Sequence, residues 1–252
     1  MIPLLSTGAV TRYPEYPDPR RILEHELPFG LELSIYRDWD ESVVELLGGL
    51  PVVTAHAEKT IGATFSGEAP AFDRFELSCR IAVGLGARLV VLHLWELPDG
   101  DRYLERNLDR LPRLLDIADE HGVVLAVETI PCSVGTPIEN LERACERDDR
   151  CRATLDTEFL ALHGQLDLAY RLGDRIAHVH AKDFDPDRWA ATPRPWNRYL
   201  IPGEGTIGVE RFLEHLPFDG TVTLEASAVR EDGNIDEQRL QSCLRWLRTL
   251  DG

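Results

Sequence analysis

The sequence predicts an α/β fold of one kind, a single (β/α)8 barrel spanning residues 1–252. Three observations carry that expectation. Short apolar runs alternate with amphipathic, charge-rich segments along the chain, the pattern of strands joined by crossover helices. Eight such units of roughly 30 residues fill the length, as a closed barrel requires. Runs such as RLVVLHL and GVVLAVE are apolar almost throughout, as strands are when both faces of a parallel sheet are covered.

The first strand, Pro3–Leu5, is followed by Ser6-Thr7-Gly8-Ala9. That is not the glycine-rich phosphate loop expected after the first strand of a doubly wound sheet. The second strand, Gly30–Ile35, leads to a helix over Ser42–Gly48, and the third, Val52–His56, to one over Ala71–Val83. Arg88–Leu94 is the fourth strand, and its helix, Asp101–His121, meets a stop signal at Gly122. Val123–Thr129 and Ala153–Asp156 are the fifth and sixth strands, separated by a helix over Ile138–Glu146. After the seventh, Ala177–His180, the stretch Phe184–Gly205 carries Pro186, Pro193, Pro195 and Pro202 with Trp189 and Trp196. A loop that long, with two tryptophans to bury, reads as cover over the barrel mouth. Pro217, Asp219 and Gly220 turn the chain into the eighth strand, Thr221–Ala226, and a helix over Ile235–Leu250 follows.

Composition narrows the function classes. The chain is 43% hydrophobic and 28% charged, within the ordinary globular range. No stretch approaches the ~20 apolar residues of a membrane span. The first residues lack the basic segment of a signal peptide, so no membrane is expected as a partner and the cytoplasm is the expected location. A net charge of −17 argues against nucleic acid, whose phosphates demand a basic face. The five cysteines, Cys79, Cys132, Cys145, Cys151 and Cys243, lack paired spacing and read as reduced, packed thiols. All but two of the 27 basic residues are arginine, the exceptions being Lys59 and Lys182.

Ionisable residues gather at one end of the strands. His56, His93, Glu128 and Asp156 end the third to sixth; His178, His180, Lys182 and Asp183 end the seventh; Glu225 ends the eighth. All should emerge at the C-terminal rim, where barrels build their sites. A converging ring of carboxylates and imidazoles is stable when a cation sits among them. The mixed oxygen and nitrogen set suits one divalent metal ion, Mn, Mg, Co or Zn. Alternation puts His178, His180 and Lys182 on one face, with His180 nearer the strand end and the better ligand. His178 is then expected beside it or at the substrate. A lysine retained at the rim suits a substrate hydroxyl or carbonyl oxygen. Lys59 reads equally well as a surface residue.

The segments VVTAHAE (52–58), VLAVETI (124–130), ATLDT (153–157), HVHAKD (178–183), PGEGTIG (202–208) and TLEAS (223–227) resemble, in order, those of the xylose isomerase-like TIM barrels. That group, the sugar phosphate isomerase/epimerase superfamily, includes ketose epimerases, inosose dehydratases and type-IV apurinic endonucleases. The resemblance implies metal ligands at Glu128, Asp156, His180 and Glu225. Three positions depart from it, each where the endonucleases have an additional zinc ligand: Phe159 stands where a histidine is usual, with His163 later, and Asn197 and Tyr199 stand just before the GEG loop. With the acidic charge, these changes argue against DNA repair.

The implied activity is metal-dependent isomerisation or epimerisation of a ketose or related polyol through an enediolate. Glu128 and Glu225 would act as acid and base on opposite faces. Lys182 joins them in a dehydratase acting on an inosose- or dehydroshikimate-like substrate, and a non-catalytic sugar-binding barrel is the third reading. His56, His93, His178, Trp95 and Arg188 are expected to touch the sugar, with Trp189, Trp196 and Phe159 as further apolar wall. Arg188, Arg194 and Arg198 would suit an anion such as a sugar phosphate. Related barrels commonly pair, so a homodimer is possible.

Overall fold

The structure, a computed structural model, describes residues 1–12, 14–96, 100–191 and 199–250. Eight parallel strands form a closed barrel in chain order: β1 (Ile2–Ser6), β2 (Gly30–Ser34), β3 (Val52–His56), β4 (Leu89–Leu92), β5 (Val124–Glu128), β6 (Arg152–Asp156), β7 (Ile176–Ala181) and β8 (Thr221–Leu224). The ring closes where Ile2 to Leu5 stand in register with Thr221 to Leu224. No strand end departs from its expected position by more than two residues.

Helices follow every strand. They are α1 (Arg20–Leu23), α2 (Ser42–Leu47), α3 (Ile61–Phe65), α4 (Phe72–Gly84), α5 (Leu104–Glu120), α6 (Pro137–Arg147), α7 (Thr157–Leu162), α8 (Pro186–Ala191), α9 (Val209–His215) and α10 (Glu237–Leu250). On α5 the spacing of Leu104, Leu108, Leu111, Leu115 and Ala118 makes one buried apolar face. Gly122, at φ +67°, then turns the chain into β5, a conformation glycine adopts without steric cost.

Two expected helix starts shift by more than one residue, each for a visible reason. The helix expected from Asp101 begins at Leu104, because the Asp101 carboxylate turns away to accept the backbone N–H groups of Ser133, Val134 and Gly135. That pairing outweighs helix extension for a buried charge. The helix expected from Ile235 begins at Glu237, because Ile235 forms an antiparallel bridge with Val229.

The apolar core lies between the barrel wall and the helices. Inside the barrel, by contrast, Glu32, Thr54, His178 and Thr223 are buried along the axis, where many barrels stack apolar layers. All five cysteines are free, and four are buried. Burial pushes the Cys79 thiol up to about 12 and the Cys243 thiol up to about 11. No helix among the described residues is long and apolar enough to cross a membrane.

Candidate metal centre

Strand alternation decides which side chains meet. Glu128 and Asp156 are the last residues of β5 and β6, and Asp156 is in register with His180 of β7. His180 is in turn in register with Thr223, two residues before Glu225. Neighbouring inward positions on four consecutive strands therefore carry Glu128, Asp156, His180 and Glu225. One ligand atom from each lies within 4.8 Å of the others, and all four residues are buried.

Each member is oriented by a second contact. Asp156 uses Oδ1 to accept the backbone N–H of Phe159 at 2.9 Å, capping α7, and leaves Oδ2 buried without a hydrogen bond. Glu128 places Oε1 2.8 Å from His180 Nδ1, and Oε2 3.0 Å from His56 Nε2 and 2.8 Å from His93 Nε2. His56 donates from Nδ1 to the Ala57 carbonyl at 2.7 Å, so its other nitrogen faces the carboxylate. On its far side, His180 Nε2 lies 3.1 Å from Glu32 Oε1. Glu32 also accepts from Thr54 and Thr223 at 3.2 and 3.4 Å, and its Oε2 lies 2.8 Å from His178 Nε2.

These contacts set the charge states. Burial by itself would lower the His180 imidazole, but the Glu32 and Glu128 carboxylates hold it well above its ordinary value. Burial raises carboxyl groups too, yet His180, with His178, keeps Glu32 well below the usual range, and His180 and His93 do the same for Glu128. Burial lowers His93 to about 4, so that ring is neutral. Asp156 is raised by burial to about 7, against the opposing pull of Lys182.

Lys182 reaches into this cluster. Its ammonium contacts Asp156 Oδ2 and lies 2.6 Å from Glu225 Oε2. It sits 3.9 Å from the centre of the Tyr199 ring and 4.8 Å from that of Phe159, within reach of a cation–π attraction. The two rings stand at positions where the sequence departs from its resemblance. The chain's other lysine lies across the same carboxylate, with Lys59 Nζ 3.8 Å from Glu225 Oε1. Both ammoniums pull the Glu225 carboxyl below its ordinary value, although burial opposes them.

Three carboxylates and an imidazole are a donor set for a divalent cation. The residues present fit one. Asp156 Oδ2 is buried with no hydrogen bond, its charge met by the Lys182 ammonium, and His180 turns one nitrogen toward the cluster while Glu32 engages the other, the usual way a protein orients a histidine ligand. Two of the four, Glu128 and Glu225, form part of the wall of a cavity of about 460 Å³, lined also by His93, Phe159, Lys182 and Tyr199 among others.

The remaining sequence candidates scatter. His93 lines the cavity, whereas His56 is packed behind Glu128 and is not part of the lining. His178 is fully buried two residues earlier on β7, engaging Glu32 and, at 2.6 Å, the Thr221 hydroxyl. Trp95 is also fully buried, its indole N–H donating to the Pro131 carbonyl at 3.3 Å. Arg188 is exposed on α8 and away from the cavity lining, and Trp189 packs against Phe184. Asp183 clamps a loop: its carboxylate accepts the N–H groups of Phe184, Gly203, Gly205 and Ile207. His163 accepts from the Cys132 N–H. Arg194, Trp196, Asn197 and Arg198 lie outside the described residues.

Sequence reasoning missed Glu32 and two residues of the cavity lining, Arg12 and Tyr36, and left Lys59 open. The signal for Glu32 was present, a lone acid inside the apolar run GLELS. Arg12 and Tyr36 stand just beyond β1 and β2, where nothing in the local pattern marks them.

Known proteins share this architecture. An uncharacterized protein of Mycobacterium leprae (strain TN) is 26% identical over 261 residues, covering 87% of each chain. The solved 3-keto-D-glucoside 4-epimerase of E. coli superposes with a TM-score of 0.68 at 18% identity, over 99% of both chains. The probable 3-DHS dehydratase AsbF of Bacillus anthracis does so with a TM-score of 0.67 at 13% identity, over 100% of this chain and 99% of that one. At such identities the structural likeness speaks for the fold. The family model of the xylose isomerase-like TIM barrel matches residues 39–250, and the chain belongs to that family.

Proposed function

We propose that the protein is a divalent-metal-dependent isomerase or epimerase of a ketose or related polyol, acting through an enediolate. One observation carries the reading: four donor atoms from Glu128, Asp156, His180 and Glu225 converge beside an open cavity. A divalent cation held there supplies the positive charge that polarises a carbonyl and acidifies the adjoining C–H bond.

The chain's own residues do the rest. Glu128 and Glu225 project from β5 and from the end of β8, separated by two strands, so that a sugar carbon between them meets one carboxylate on each face. One removes the α-proton and the other returns a proton, at the same carbon in epimerisation or at its neighbour in isomerisation. Lys182 Nζ, 2.6 Å from Glu225 Oε2, holds a proton that Glu225 can relay. Phe159 and Tyr199 form an apolar wall and reduce water access around the ammonium.

The test combines metal analysis with proton exchange from a panel of ketoses in D₂O. About one divalent ion per chain and metal-dependent exchange at an α-carbon are expected. Glu128→Gln and Glu225→Gln should each lower exchange by on the order of a hundredfold or more, the scale of general acid–base catalysis. Exchange at the normal rate in either variant would sink the two-carboxylate scheme.

A second reading, dehydration, is favoured by Lys59 and Lys182 flanking Glu225. Two ammoniums beside one base suit protonation of a departing hydroxyl. The product separates the two, since loss of water yields an unsaturated ketone that absorbs in the ultraviolet and epimerisation does not.

A further inference from the structure

We infer that the molecule taken by this cavity carries a carboxylate, and that Arg12 and Lys59 hold it on the β1–β3 side of the mouth. The inference deepens the proposed function by naming a substrate class, a hydroxy-keto acid, and rests on that reading for the position of the reacting end.

The cavity wall is divided by charge. The side formed by β5 to β8 presents Glu128 and Glu225, with Lys182 engaged between Asp156 and Glu225. The opposite side, from the ends of β1 to β3, presents Arg12, Lys59 and the hydroxyls of Ser6, Ser34 and Thr60, with no carboxylate among the described residues that line it. The acids closest in sequence to those cations do not saturate them. Glu58 pairs with Arg74 at 3.0 Å and accepts the Thr60 N–H at 2.8 Å. Glu15 lies 3.7 Å from Arg12 Nε, beyond hydrogen-bond range. Exposed Glu96 stands at the end of β4.

Both cations have unused donors. Arg12 Nε is buried with no hydrogen-bond partner, a state that proteins seldom leave uncompensated. Lys59 is only 23% exposed, and Glu225 Oε1 is 3.8 Å away, too far for a hydrogen bond. Lys59 and Lys182 are the only lysines in a chain that otherwise uses arginine, and both line this one cavity. Lys182 contacts two carboxylates directly, whereas Lys59 has, among the described residues, only Glu225, at 3.8 Å.

An apolar ligand would leave these donors dry, and a purely hydroxylated one would accept from them but leave their charge unmatched. A planar carboxylate accepts from a guanidinium and an ammonium together. A protein of net charge −17 repels anions in general, so an acid enters only where local cations reverse the sign of the field. Arg12 and Lys59 carry two positive charges, but Glu15 and Glu225 stand 3.7 and 3.8 Å from them and offset part of that charge, so the remainder suits a single carboxylate better than a phosphate dianion.

The experiment is calorimetric titration of three probes, D-fructose, 5-keto-D-gluconate and fructose 6-phosphate, into metal-loaded and metal-free protein. The keto acid is expected to bind at least tenfold more tightly than fructose. Arg12→Gln and Lys59→Met should each bring that ratio close to one, and Arg12→Lys should retain most of it. Thermal denaturation of each variant verifies folding. Equal binding of acid and fructose by the unaltered protein, or a ratio that survives both substitutions, overturns the inference. Tighter binding of the phosphate ester than of the keto acid overturns the carboxylate assignment. Because the acid preference is also read without metal, a protein that binds no metal but still prefers the acid defeats the proposed function and leaves this inference standing.

Discussion

His180 sits between two carboxylates, with Nδ1 at Glu128 and Nε2 at Glu32, and both nitrogens need protons to satisfy them. A metal ion at the cluster must displace one of those protons, and Asp156, raised by burial to about 7, must surrender its own below that pH. The sign follows directly. Protonated forms dominate the metal-free site at low pH, so apparent metal affinity should climb as pH rises from about 6 to 8, and metal binding should release protons. Titration calorimetry in buffers of differing ionisation enthalpy measures both; a pH-independent affinity would contradict the arrangement. Glu32 makes a separate prediction. By bonding the far nitrogen it fixes the ring's orientation, and Glu32→Gln should weaken metal binding roughly 10- to 100-fold, the range known for such outer partners. An unchanged dissociation constant would reduce Glu32 to a packing residue. At this scale the sequence was legible where chemistry and position coincide, as at Glu128, Asp156, His180 and Glu225, each at a strand end. Local pattern did not show which rim residues face their neighbours instead of the cavity, as His178, Trp95 and Asp183 do. Pairing partners decide that, and no local pattern records them.

Among the elements, the connection after β7 depends on one carboxylate. Asp183 gathers four backbone N–H groups and so binds the GEG loop to the barrel rim, which brings Tyr199 over Lys182. Gly205 leaves no room there, since a Cβ at that position would come within 2.5 Å of both Asp183 Oδ1 and the Phe184 carbonyl. Gly205→Ala should therefore destabilise the fold by about 1–3 kcal/mol, the usual cost of overpacking, and expose the loop near residue 200 to proteolysis. Thermal denaturation and limited trypsin digestion measure the two effects; a variant indistinguishable from the parent in both would show the loop to be held by other contacts. The sequence announced a long connection here from its prolines. Its clamp was hidden because Asp183 reads as one more rim acid, and only the fold brings residues 203 to 207 back to it.

For the molecule as a whole, the eight strand positions were legible because a parallel barrel buries both faces of every strand and leaves apolar runs of even spacing. The polar axis was not, since Glu32 and the barrel threonines come from strands whose neighbours are set only when the ring forms. That ring has a direct temporal consequence. The ribosome emits β1 first, yet one of its edges waits for β8, more than two hundred residues later. Until then the growing polypeptide exposes unpaired backbone at β1 and at its newest strand, the kind of edge that invites intermolecular pairing. The cavity draws one wall from β1 to β3 and the other from β5 to β8, so it does not exist in any nascent chain. A polypeptide released before Thr221 should need chaperones, aggregate readily and have no activity, however much of its helical content has formed.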